Sequence, residues 1–215
     1  MKTLTREMRD ALTPQLAIDV LRRGNDRFVN NLKANRNLLQ QVNETSAGQH
    51  PFGIVLSCID SRTSAELIFD QGLGDIFSCR IAGNILNDDI LGSMEFACRV
   101  AGAKVVVVLG HSKCGAIKGA CDGVELGNLT SLLQKILPAV HLEAAERPHL
   151  GTTDPAFVER VAARNVLRVT QQIVERSTVL SAMVEQSEIA LLGGMYDVDS
   201  GAVEFYDALM RMGTP

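Results

Sequence analysis

The sequence predicts an α/β fold: a central, mainly parallel β-sheet flanked by helices, with an extended helical arm at the N-terminal end. Short apolar runs that read as strands alternate with stretches of helical periodicity, which is the pattern of strand–helix–strand units. One run, Val105-Val106-Val107-Val108-Leu109, is continuously apolar, as a parallel strand covered on both faces requires. No repeat, low-complexity tract or Gly/Ser linker interrupts the 215 residues. The chain therefore reads as one domain, with residues 1–35 as the arm and 36–215 as the core.

Thr13-Pro14 is an N-cap followed by proline at the first helical position, and Leu16, Val20, Leu21, Phe28 and Leu32 then recur near helical spacing, with a weak interruption at Gly24. Residues 35–50 are polar and read as a loop. The apolar run 52–59 reads as a buried strand, 64–70 as a short helix, Gly72 and Gly74 as a turn, 76–81 as a second strand and 89–100 as a helix. Residues 104–110 form the strand expected at the centre of the sheet. Helical periodicity covers 129–146 and a single long stretch, 154–185, before strands at 188–196 and 202–206.

Composition bounds the function. At 46% hydrophobic and 21% charged, the chain can bury one sizeable core. Its 21 Lys and Arg residues are scattered among 25 acids for a net charge of −4, aromatics are 4% and Trp is absent, which argues against a nucleic-acid partner. No stretch approaches the roughly 20 apolar residues of a membrane span, and the N-terminus lacks the apolar segment of a secretory signal. The expectation is a cytoplasmic protein without a membrane partner. Five cysteines, at 58, 79, 98, 114 and 121, are an odd set in a reducing compartment, so metal binding or burial accounts for them better than disulfides.

Ligands of open α/β sheets gather beyond the carboxyl ends of the strands. Cys58 ends the first strand in SCIDSR, His111 ends the central strand in LGHSKCG, and Cys114 follows at the opening of a helix. Two cysteines and a histidine are a ligand set of catalytic zinc sites, where the fourth position stays open, and thiolates select zinc over magnesium or calcium. Two thiolates cancel the charge of Zn2+, so a bound hydroxide would leave the shell negative. On an extended backbone Cys58, Asp60 and Arg62 project to one side. A bidentate pair with Arg62 would hold the Asp60 carboxylate off the metal, where it could accept a hydrogen bond from bound water.

On the residues alone three readings stay open. One is an open catalytic zinc site, the second a closed structural site with Asp60 as fourth ligand, and the third a metal-free cysteine nucleophile with His111 as base, which leaves Cys114 without a role. The spacing of Gly110 and Gly115 superficially suggests a phosphate loop, but Ala116-Ile117 stands where Lys and Ser/Thr are needed, so nucleotide binding is rejected. Cys79, Cys98 and Cys121 are assigned to core packing. His50, His141 and His149 are read as solvated or capping residues.

At these positions the sequence resembles the β-carbonic anhydrases, whose signature is Cys-x-Asp-x-Arg, here 58–62, followed by His-x-x-Cys-Gly, here 111–115. The likeness continues through GNDRF, GQHPF, ELIFDQGLGDIF, AGN at 82–84 and SMEFA, over nearly the whole chain. It implies one Zn2+ per chain on Cys58, His111 and Cys114, an Asp60–Arg62 dyad that positions zinc-bound hydroxide, and reversible hydration of CO2 to bicarbonate. Gln49 matches the glutamine that hydrogen-bonds substrate in the first, plant-like subtype, and Phe77 matches an apolar wall residue. Phe96 stands where plant-like members carry a tyrosine, so that hydroxyl is missing. Val55 stands where the second, bicarbonate-regulated subtype carries a tryptophan, which makes the sequence look like the first. The substrate pocket expected from the resemblance is Gln49, Val55, Phe77, Phe96 and Gly115. The resemblance also implies a homodimer or dimer of dimers, with the active site at the subunit interface and the N-terminal helix reaching over the partner. Family members with this ligand set that hydrolyse carbon disulfide or carbonyl sulfide supply an alternative activity, and a non-catalytic zinc-stabilised interaction domain is the other alternative.

Overall fold

The computed structural model describes residues 3–152 and 154–206. The arm consists of α1 (Arg6–Asp10) and α2 (Pro14–Val29). The Thr13 hydroxyl accepts a hydrogen bond from the Leu16 amide and Pro14 occupies the first turn, as the sequence predicts. Gly24 does not break the helix. A Cβ there would lie 1.8 Å from the Phe69 carbonyl oxygen, so glycine is what lets α2 approach the chain beneath it. Ala17, Ile18 and Leu21 bury on the arm's own core against Val55 and Phe69.

Residues 35–50 are not all loop: α3 (Leu38–Thr45) lies within them, started by the Asn37 side chain accepting from the Gln40 amide. Its apolar residues Leu38, Leu39 and Val42 face solvent while Gln41 is the one buried, so the burial pattern that signals a helix in sequence is inverted. The chain continues through β1 (Gly53–Ser57), α4 (Ala65–Ile68), β2 (Ile76–Arg80), a 3-10 turn at Ala82–Asn84, α5 (Asp88–Glu95) and β3 (Val105–His111). Then come α6 (Gly115–Cys121), α7 (Gly127–Leu133), α8 (Leu137–Glu146), α9 (Pro155–Arg176), α10 (Thr178–Glu185), β4 (Ala190–Tyr196) and β5 (Val203–Phe205).

The sheet order is β2-β1-β3-β4-β5, with β5 antiparallel to β4 and every other pair parallel. β3 is central and buried along its whole length. Alternate residues of the strands divide between two cores. Ile54, Leu56, Val106, Val108 and Leu191 pack under α5, α9 and α10, while Val55, Val105, Val107 and Leu192 pack under α2 and α4.

Three helical expectations change at their ends or middles. The stretch 154–185 is two helices because Ser177 leaves helical geometry (φ −114°, ψ 106°) and caps α10 through its hydroxyl, which also donates to Glu95. The stretch 129–146 breaks between α7 and α8, where Pro138 opens the second helix. After α5 the helix widens into a π turn at Phe96–Val100, which leaves Phe96 and Val100 on the surface and buries Ala97 and Cys98. Among the described residues no helix is long and apolar enough to cross a membrane.

One ionic cluster ties the arm to the core. Asp70, buried and in left-handed conformation (φ 44°), accepts from Arg27 Nε at 2.5 Å, from the Ala34 amide at 3.1 Å and from Arg36.

Candidate metal centre

Strands β1 and β3 are neighbours in register, so their carboxyl ends deliver Cys58 and His111 to the same rim of the sheet. Cys114 arrives three residues after His111 at the cap of α6. The turn between them is pinned: the Ser112 amide donates to Tyr196 O, and Lys113, at φ 54°, donates its amide to Glu159. The three side chains are buried, and their ligand atoms lie within 4.8 Å of one another, with the two sulfurs 4.0 Å apart. Tetrahedral zinc with Zn–S bonds of about 2.3 Å needs sulfurs roughly 3.8 Å apart, so the sulfur pair fits that ion with a few tenths of an ångström of closure.

His111 supplies an independent sign of a ligand. Its Nδ1 lies 2.9 Å from the Ser112 carbonyl, which can only accept, so Nδ1 carries the proton and Nε2 the lone pair. That Nε2 is buried and has no hydrogen-bond partner. A buried acceptor left unpaired is costly unless something electrophilic completes it.

The two thiols are electrostatically coupled. Cys58 is pushed well below the ordinary thiol range, first by the hydrogen bond from Cys114 and against burial, with the Asp60 and Gly83 amides adding to it. The Gly83 N–H points at Cys58 Sγ from 3.3 Å. Gly83 is in left-handed conformation (φ 66°), and its carbonyl is held by buried Asn165 of α9 at 2.9 Å. Cys114 is pushed up by the adjoining Cys58 sulfur and by burial, the expected response of the second thiol of a pair whose first has ionised. A divalent cation between them removes that penalty.

Asp60 is not a member of the ligand cluster. Arg62 grips both its oxygens, Nε to Oδ1 at 2.9 Å and Nη2 to Oδ2 at 2.8 Å, and adds its own amide to Oδ1 at 2.9 Å. This grip lowers the Asp60 pKa well below the usual carboxylate range, against the effect of burial. Gly115 is exposed beside Cys114 with open space where a Cβ would stand.

The remaining expected pocket residues lie elsewhere. Val55 is fully buried in the core under α2, because alternation along β1 turns it to the face opposite Ile54; its placement in a substrate pocket is corrected. Gln49 precedes β1 and so sits toward the amino end of the strands, not the metal end. Phe77 pairs in register with Ile54, four residues before Cys58, or about 13 Å along the strand. Its ring meets Phe96 edge-on at 6.3 Å, and the two line a cleft of ≈ 690 Å³ with Cys79, Asp88, Asp89 and Ser93. Within one chain, then, the ligands and the dyad converge, whereas Gln49, Phe77 and Phe96 do not join them. Sequence reasoning assigned no role to Gly83 or Asn165; the AGN tripeptide at 82–84, with a glycine fit for positive φ, was the available signal for the first.

Comparison with known proteins agrees with this geometry. The carbonic anhydrase family model matches residues 53–203. Carbonic anhydrase 2 of Mycobacterium tuberculosis is 32% identical over 208 residues, covering 93% of this chain and 96% of that protein. A carbonic anhydrase of Mycolicibacterium smegmatis is also 32% identical, covering 93% and 97%. The crystal structure of the β-carbonic anhydrase CafA of Aspergillus fumigatus superposes with a TM-score of 0.71 at 32% identity, over 79% of this chain and 82% of that one.

Proposed function

The chain belongs to the β-class carbonic anhydrases, and on that premise we propose that it hydrates CO2 reversibly to bicarbonate and a proton, with one zinc ion on Cys58, His111 and Cys114. The observation that carries the reading is the buried, unpartnered His111 Nε2 facing two buried sulfurs while the nearby Asp60 carboxylate is occupied on both oxygens by Arg62. Zinc in such a donor set supplies a Lewis acid that makes water a nucleophile at neutral pH.

The chain's own residues orient the reaction. Asp60, kept ionised by Arg62, can only accept a hydrogen bond, so an attacking water must turn its hydrogen toward the carboxylate and its lone pair toward CO2. His111 is fixed in one tautomer by Ser112, and the Cys58 sulfur is steadied by the Gly83 amide. Asp60 engaged in this way supports an open centre over a closed structural one.

Gln49, Phe77 and Phe96 fit the reading if a second copy of the chain presents them across a two-fold axis to the metal of its partner. Phe96 and Val100 are exposed at 54% and 71%, an apolar surface suited to such a contact. There the Phe rings would offer CO2 an apolar wall and the Gln49 amide one polar handle. A homodimer, or a dimer of dimers, and a cytoplasmic location complete the proposal.

The test is zinc content measured alongside rapid-mixing CO2 hydration for the native chain and for Cys58→Ser. Stoichiometric zinc with fast hydration in the first, and loss of both in the second, supports the reading. Zinc without hydration would turn it into a structural centre, and hydrolysis of carbon disulfide or carbonyl sulfide in place of CO2 hydration would change the substrate.

A further inference from the structure

We infer that Thr63 and Arg80 are positioning residues that keep the fourth coordination position open, by gathering the backbone carbonyls of the 58–63 turn so that Asp60 cannot rotate onto the metal. This deepens the zinc reading and rests on it. Arg80, the last residue of β2, stands opposite Ser57 in the parallel register, so its guanidinium reaches from a strand onto the turn that follows β1. Nε donates to Cys58 O at 3.0 Å and Nη2 donates to Asp60 O. Among the described residues Arg80 forms no ion pair with a carboxylate, so its cation is used on these two carbonyls and, at 3.5 Å, on the Thr63 hydroxyl.

Thr63 closes the same turn from inside. Its hydroxyl lies 3.0 Å from Cys58 O and 2.9 Å from Asp60 O, sharing one proton between them, and its amide donates to Asp60 O at 3.0 Å. Asp60 O is thus met by three donors. The backbone of the ligand Cys58 and of the carboxylate Asp60 is held by the same two side chains.

Arg62 alone does not explain an open centre. Its side chain is 48% exposed, and water competes for an exposed ion pair, whereas Thr63 is 1% exposed and its hydrogen bonds are shielded. With the peptide fixed, Asp60 can choose only among side-chain rotamers, and the Arg62 fork selects the one off the metal. With the peptide released, the carboxylate gains a route to a cation held by a ligand two residues away along the chain, a stronger electrostatic partner than a half-solvated guanidinium.

The experiment uses the full chain loaded with cobalt(II) and follows thiocyanate uptake in the visible spectrum, since an open centre accepts an external anion and a centre with four protein ligands does not. Thr63→Val and Arg80→Lys preserve charge, so long-range attraction of the anion is unchanged. Each is expected to weaken thiocyanate binding about tenfold or more. Adding Asp60→Asn to either variant should restore uptake by a larger factor than the same change gives in the native background, the signature of coupling in a double-mutant cycle. Native-like uptake by both single variants overturns the inference, as does a loss that Asp60→Asn does not relieve. Native protein that takes up cobalt but no thiocyanate overturns the open-centre reading itself, a result distinct from failure of the clamp alone.

Discussion

Arg62 and Gly83 show how much of the centre depends on single groups outside the cluster of Cys58, His111 and Cys114. Arg62→Lys keeps the charge but replaces a planar fork by a point donor, so Asp60 loses one of its two side-chain contacts. We expect unchanged zinc content with CO2 hydration reduced about 10–100-fold, measured by stopped flow. Gly83→Ala meets two obstacles: a positive φ and a Cβ 2.7 Å from Ile136 Cδ1. The flexible Ile136 terminus can yield, but the backbone cannot, so the variant should lose about 1–2 kcal/mol in urea unfolding of the metal-free protein. Its amide moves off the Cys58 sulfur, and chelator competition should show weaker zinc retention. The ligand residues themselves were legible in sequence because motif and strand ends point to them. The tautomer of His111 was not, because the carbonyl that sets it is placed by the turn rather than by residue type.

Between elements, the Asp70 cluster does what the apolar pattern of the arm does only in part. The ion pair with Arg36 is buried on both sides, at 4% and 8% side-chain exposure. Burial pushes the Asp70 carboxyl up, and Arg27, the Ala34 amide and Arg36 together outweigh it, leaving the pKa below the ordinary value. Between the unfolded value of about 3.9 and the lower folded one, the unfolded chain binds more protons, so the cluster's stabilisation is full above about pH 4 and is lost as pH falls through the folded value. Asp70→Asn should cost about 3 kcal/mol at neutral pH, leaving two arginines without their anion, and should flatten the acid limb of stability measured by urea titration. Ser177→Ala removes the cap of α10 and should cost about 1 kcal/mol. Neither position was singled out in sequence: Asp70 looked like the end of a helix, and Ser177 lay inside a periodic run with no proline or glycine to mark the break.

For the whole molecule, the proposal to test is that a second subunit supplies Gln49 to the metal centre. Mixing equal amounts of Cys58→Ser and Gln49→Ala chains, each poorly active alone, under conditions that exchange subunits should restore about a quarter of native hydration: half of the dimers are mixed, and each holds one intact site of two. Absence of recovery in demonstrably mixed dimers would place Gln49 outside any shared site. The same experiment read by mass gives the oligomer, and deleting residues 1–35 should weaken assembly if the exposed Leu16, Val29 and Leu32 face a partner.

By itself the sequence determined the parallel core, the two strand ends that carry the ligands, the donor set and the acid–arginine pair. These follow from residue type at short spacing: continuous β-branched runs demand burial on both faces, and two cysteines with a histidine define the metal they prefer. Only the tertiary structure decided that Val55 faces the core, that His111 offers Nε2, that Asp60 stays off the ligand cluster, and that Arg80 and Thr63 reach the turn holding it. Each of these depends on direction, on which side of a strand a residue faces or which carbonyl a distant side chain meets, and direction is set by packing between segments far apart in the chain.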